Sequence, residues 1–235
     1  MNQRKIPGLL VSLDVLTFAA VAGSLVWVLF FTPREAVMGD VQKIFYFHVS
    51  SAWVGMLGFL VSFIAGWRYL RTGKASWDAA GLSGVEIGMV FTLLAIGSGS
   101  IWARPVWNTW WTWDPRLTTA FIMALIYAAY LILRRSIEDI EKQRRYSAVY
   151  AIVGFISVPF TFVSIRIFRS IHPVVFAAGA GSMAFNMSPR MAGAFAFALV
   201  AFTLLFITFF WHRFRLALVQ QAEAEKYPGE QESQA

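Results

Sequence analysis

Five tryptophans stand within twelve residues, Trp102, Trp107, Trp110, Trp111 and Trp113, and they are half of the ten in the chain. They share the segment 97–119, GSGSIWARPVWNTWWTWDPRLTT, with Arg104, Asp114 and Arg116. Indole is large and flat and carries one N–H that needs an acceptor when buried. Tryptophans spread along a membrane boundary act as anchors, and that reading serves for Trp27, Trp53, Trp67, Trp77 and Trp211. Five in one loop is too dense for a belt and points to a surface for a large planar ligand. Pro105 and Pro115 disfavour one unbroken helix through the segment. A short helix over 107–114 would place Trp107, Trp110, Trp111 and Asp114 on one face by their three- and four-residue spacing. Arg104 and Arg116 near its ends would then hold acidic substituents through charge-assisted hydrogen bonds.

The elements that carry this segment are membrane helices. Of the 235 residues 58% are hydrophobic and 14% charged, with a mean hydropathy of +0.59, where an ordinary soluble domain carries about 25% charge. A span needs roughly 20 apolar residues, and six stretches qualify: Leu9–Phe31, Ile44–Trp67, Leu82–Trp102, Leu117–Leu133, Ala148–Phe168 and Met191–Trp211. Lipid leaves no partner for open backbone groups, so these read as helices. The expected fold is an all-α integral membrane protein with one six-helix domain over 1–219 and a polar, disordered tail over 220–235. No small-residue cleavage pattern ends the first apolar run, so it reads as a retained span. The absence of cysteine excludes disulfides, thiolate catalysis and cysteine-held metals.

Orientation follows from Lys and Arg near the span ends. The side shared by both termini holds 13 of the 20, and the other side holds Arg34, Lys43, Arg104, Arg116, Arg166, Arg169 and Arg190. Both termini are therefore expected in the cytoplasm and the tryptophan loop outside. The net charge of +7 is spent on these boundaries and implies no nucleic acid. The basic run Arg134–Arg145 reads as an orientation signal in a solvated loop. Asp14 and Glu86, about a turn inside the cytoplasmic boundary, read as snorkelling or paired acids.

The orientation has a consequence for the three histidines. His48, in FYFHVSSAW, and His172, in FRSIHPVVF, fall on the outer side with the tryptophans. His212 falls on the cytoplasmic side and reads as a packing or hydrogen-bonding residue. A planar macrocycle to stack, acidic groups for arginine and a metal needing imidazoles together describe haem. His48 and His172 are the available axial pair, and Arg166 or Arg169 could assist with the propionates. The outward loop 169–190 is apolar in its middle, too short to span, and is expected to lie in the interface or cover the ligand.

The tryptophan segment resembles the WWD signature of haem-handling proteins of cytochrome c maturation. With six spans, IFYFHVSSAW in the second and SIHP in the last outward loop, the chain is most similar to the CcmC, or haem exporter protein C, family. It departs from the family pattern at Asn108, usually glycine, and Pro115, usually alanine. The resemblance implies that His48 and His172 ligate the iron of haem b. The tryptophan loop, with Trp102, Arg104, Trp107, Trp110, Trp111, Trp113, Asp114 and Arg116, would hold the haem with one edge exposed. It also implies an inner-membrane complex with the ABC-type subunits CcmA and CcmB and the small protein CcmD. Haem would be delivered to the periplasmic chaperone CcmE. No phosphate-binding loop occurs in this chain, so binding and transfer are expected rather than bond-making catalysis. Two other readings compete: a permease moving haem through the bilayer, and a scaffold whose tryptophans only anchor it. An oligosaccharyltransferase-like enzyme fits less well, because the acid here follows Trp-Trp-Thr-Trp.

Overall fold

The structure, a computed structural model, describes residues 6–173 and 187–226. Among them are seven α-helices and no strand: α1 Gly8–Val26, α2 Lys43–Thr72, α3 Ala75–Trp107, α4 Pro115–Arg135, α5 Ile140–Gly154, α6 Ser157–Ile167 and α7 Pro189–Lys226. They give six segments long and apolar enough to cross a membrane, in agreement with the sequence reading. The fifth span is not one helix. Pro159 cannot donate to the carbonyl four residues back and its ring crowds it, and the helix breaks at Phe155 and Ile156 between α5 and α6. The short helix expected over 107–114 does not form either: Trp107 is the last residue of α3. Asn108 adopts a left-handed backbone (φ 56°) that ends α3, a conformation asparagine tolerates better than most residues, and 108–114 run irregularly to α4. Pro115 takes the first position of α4, where its missing N–H costs nothing. At the other end α7 runs to Lys226, so the first part of the tail expected to be disordered is helical.

α2 and α3 form the central hairpin. Gly73 turns it with φ 65°, and glycines let the two backbones touch. A Cβ on Gly58 would lie 2.5 Å from the Gly84 carbonyl oxygen, and one on Gly84 2.6 Å from that of Gly58. Substitution must therefore push the helices apart, an overpacking cost of about 1–3 kcal/mol. Gly58→Ala is expected to lower the melting temperature in detergent without changing the ligand groups at the far end.

Polar contacts tie the outer helices to each other and to this hairpin. Thr17 and Thr208 share a hydrogen bond of 2.8 Å between α1 and α7, and His212 Nε2 lies 2.8 Å from Asp14 Oδ1. Glu86 pairs with Arg213 at 2.5 Å, joining α3 to α7. Asp14, Glu86 and His212 are thus paired structural residues, as expected. Arg134 and Arg144 are not solvated: their side chains are 11% and 13% exposed and both face Asp78.

Candidate functional site

At the end of the bundle where α2 begins, α3 ends and α4 begins, His48, Trp102, Trp107, Trp111, Arg116 and His172 line one cavity of about 100 Å³. The sequence-predicted groups from three separate segments are therefore brought together. Trp110 and Trp113 are not in its wall and are 57% and 71% exposed. Arg104 and Asp114 are not in it either. Arg104 donates to the Asn108 carbonyl (2.6 Å) and Oδ1 (2.7 Å), closing the end of α3. Asp114 caps α4 by accepting from the Arg116 N–H at 2.9 Å.

The histidine tautomers follow from their partners. His48 Nδ1 lies 2.9 Å from the Ala95 carbonyl oxygen. A carbonyl only accepts, so Nδ1 carries the proton and Nε2 keeps its lone pair. His172 Nδ1 lies 3.0 Å from the Pro173 carbonyl oxygen, with the same result. Such a bond to the second ring nitrogen is what fixes a metal-binding imidazole. Burial, then the positive charge of Arg116 and the neighbouring His48, push the His172 pKa down to about 4. Its ring is neutral at neutral pH and its Nε2 is not blocked by a proton.

The two imidazole centroids are 6.5 Å apart. An imidazole–metal bond of about 2 Å on each side of one ion places two ring centroids about 6 Å apart, so this spacing suits a metal ion held between the rings. Around them, Trp107 packs edge-on to Trp102 at 5.1 Å and to His172 at 6.3 Å. Trp111 packs against Trp113 and Phe121. The indole N–H groups of Trp102 and Trp111 are buried with no acceptor among the described residues, an arrangement that costs about 1–3 kcal/mol for each such group and that a ligand oxygen would relieve. Pockets that enclose a whole ligand run about 300–1,000 Å³. At about 100 Å³ the cavity here is too small to enclose such a ligand whole.

Arg116 is the charged group of the wall. Its guanidinium donates to the Thr161 carbonyl at 2.8 Å and lies 4.3 Å above the Phe162 ring. Neither of these two partners is an anion; the neighbouring Asp114 carboxylate acts on the guanidinium through its charge. Gly99 is a site residue that the sequence reading did not single out. A Cβ there would lie 2.8 Å from His48 Cε1 and 3.2 Å from Nδ1, so the glycine makes the room in which the ring meets α3. Gly99→Ala is expected to move His48 off the Ala95 carbonyl and weaken ligand binding about 10–100-fold, the usual cost of disturbing a metal ligand's support; titration of the purified variant measures it. The only hint in the sequence was the run of small residues GSGS. The apolar loop centre 174–186, expected to cover the ligand, lies outside the described residues.

The family model described as Heme exporter protein C matches residues 4–227. Several proteins named Heme exporter protein C are similar to the chain. The Bradyrhizobium diazoefficiens protein is 34% identical over 75% of this chain and 66% of its own length. The Rhodobacter capsulatus protein is 36% identical over 55% of this chain and 54% of its own length. The Escherichia coli protein is 27% identical over 81% of this chain and 76% of its own length. The chain thus spans about half to three quarters of the length of these curated relatives. With nearly all of its residues inside the family model, the chain belongs to the Heme exporter protein C (CcmC) family.

Proposed function

We propose that this chain binds haem b at the outer face of the inner membrane and hands it to the periplasmic chaperone CcmE during cytochrome c maturation. It would do so as a non-catalytic subunit of a complex with CcmA, CcmB and CcmD. The observation that carries this reading is the pair of imidazoles, each with Nδ1 bonded to a carbonyl and Nε2 left with its lone pair, 6.5 Å apart in a tryptophan-lined cavity. His48 and His172 are the axial ligands. Trp102, Trp107 and Trp111 contact the macrocycle, and Arg116 pairs with a propionate. Trp110 and Trp113, exposed beside the cavity, would meet the protruding edge or the chaperone, with Arg104 nearby as a second positive group.

Handover requires that the bound haem be reachable, and a cavity too small to enclose it whole meets that requirement. Arg116→Leu removes a charge-assisted hydrogen bond of about 1.5–3 kcal/mol, so haem affinity is expected to fall about 10–100-fold while the low-spin spectrum of the remaining complex persists. The reading as a whole is tested by mixing haem-loaded protein with purified haem-free CcmE and following haem to the chaperone. Transfer that is lost in Trp110→Ala/Trp113→Ala, with haem still bound, supports it. No transfer from the loaded wild-type complex contradicts it.

A further inference from the structure

His172 sits in a segment with no secondary structure of its own. α6 ends at Ile167 and Phe168 turns into extended backbone. The ring's own hydrogen bond goes to Pro173 of the same segment, so it does not tie the histidine to the bundle. His48 differs: it lies inside α2 and is bonded to α3. Apart from the edge-on packing of Trp107 on its ring, what fixes His172 opposite His48 is a hydrogen-bonded contact between its segment and the rest of the protein.

That contact is Asp114. Its carboxylate is buried and reaches across fifty-six residues of sequence. Oδ1 accepts from the Ser170 hydroxyl at 2.8 Å as well as from the Arg116 N–H, and Oδ2 accepts from the Ile171 N–H at 2.8 Å. Ser170 Oγ in turn accepts from the His172 N–H at 3.1 Å. Hydrogen bonds to an ionised acceptor are roughly twice as strong as neutral ones, and here one buried carboxylate makes three of them. It caps α4, closes the tryptophan segment and fixes the backbone on either side of Ser170.

We propose that Asp114 and Ser170 are positioning residues for His172: the acid of the tryptophan segment acts by clamping the second imidazole in place, not by touching the ligand. This rests on the reading of His172 as an axial haem ligand. The clamp makes the tryptophan segment and His172 a single unit, so whatever loosens one frees the other, and haem then keeps only the His48 bond.

The test uses the full chain with haem bound, in wild type, Ser170→Ala, Asp114→Asn and His172→Ala. Ser170→Ala leaves the α4 cap intact, and it decides the matter if Asp114→Asn does not fold. Asp114→Asn keeps one carbonyl oxygen for the cap and loses the second acceptor. The expected result is normal helical content in Ser170→Ala, partial conversion of the low-spin spectrum to a high-spin one, and haem loss to apomyoglobin about tenfold faster, within the range that loss of a supporting group gives. Added imidazole should restore the low-spin spectrum in both clamp variants and in His172→Ala, which a general loss of packing would not allow. A wild-type spectrum and release rate in both clamp variants, with His172→Ala altered, overturns the clamp and leaves the haem site standing. A wild-type spectrum in His172→Ala overturns the ligand assignment and the clamp with it.

Discussion

His48→Ala is expected to lose bound haem almost entirely, a larger effect than the about 10–100-fold that follows loss of a group supporting a ligand. The reason is geometric. His48 is held on two sides, by its own helix and by the Ala95 carbonyl, with Ser98 Oγ 3.4 Å away, and the room for its ring exists only because residue 99 is glycine. Its removal would leave a bound iron only the imidazole of His172, on a segment held from outside the helices. Haem content per protein after purification, by pyridine haemochrome, measures the effect. His172→Ala should retain more haem than His48→Ala, because the helix-borne ligand survives. Equal retention in His48→Ala and wild type would mean that the iron, if bound, lies elsewhere.

The second large effect concerns the opposite end of the bundle. Arg134 forms a two-pronged pair with Asp78, with bonds of 2.6 and 2.5 Å, and the Asp78 side chain is 3% exposed. Arg144 from α5 approaches the same carboxylate at 3.8 Å. One acid thus joins α3, α4 and α5. Breaking a buried pair by removing one partner costs about 3–5 kcal/mol because the other charge is left without compensation. Asp78→Ala is expected to destabilise the protein by that amount in a melting experiment in detergent. The double change Asp78→Leu/Arg134→Met should recover much of the loss, since the close pair is replaced by apolar groups and Arg144 keeps Glu141 at 3.3 Å. The site's own residues are untouched by either variant, so haem retained per folded molecule should stay at the wild-type level.

How far the sequence could be read depended on the physical source of each feature. The six spans were legible because lipid forces long apolar runs to be helices, and the structure has all six. The break between α5 and α6 follows from Pro159 alone, but an apolar run hides it, since hydropathy does not register a missing N–H. The grouping of His48, His172 and the tryptophans was legible from loop charge, which placed them at one end. Which tryptophans turn inward was not. That depends on the left-handed turn at Asn108, and a helical reading of 107–114 grouped Trp110 and Asp114 with Trp107 and Trp111. Asp114 looked like a ligand contact because a carboxylate beside tryptophans suggests one; its partners Ser170 and Ile171 are remote in sequence and only the folded chain shows them. Arg134 and Arg144 looked solvated because a charged run between two spans usually is, and their partner Asp78 lies far off in sequence, in the first turn of α3. Gly99 was invisible as a site residue because its contribution is the space it leaves.

The central claim is that His48 and His172 hold one iron between them. The most direct measurement is the absorption spectrum of the haem-loaded, purified wild-type protein beside His48→Ala and His172→Ala at neutral pH. The account predicts a six-coordinate low-spin spectrum in wild type that neither single variant retains. A high-spin or haem-free wild type, or a low-spin spectrum unchanged in either variant, would contradict it.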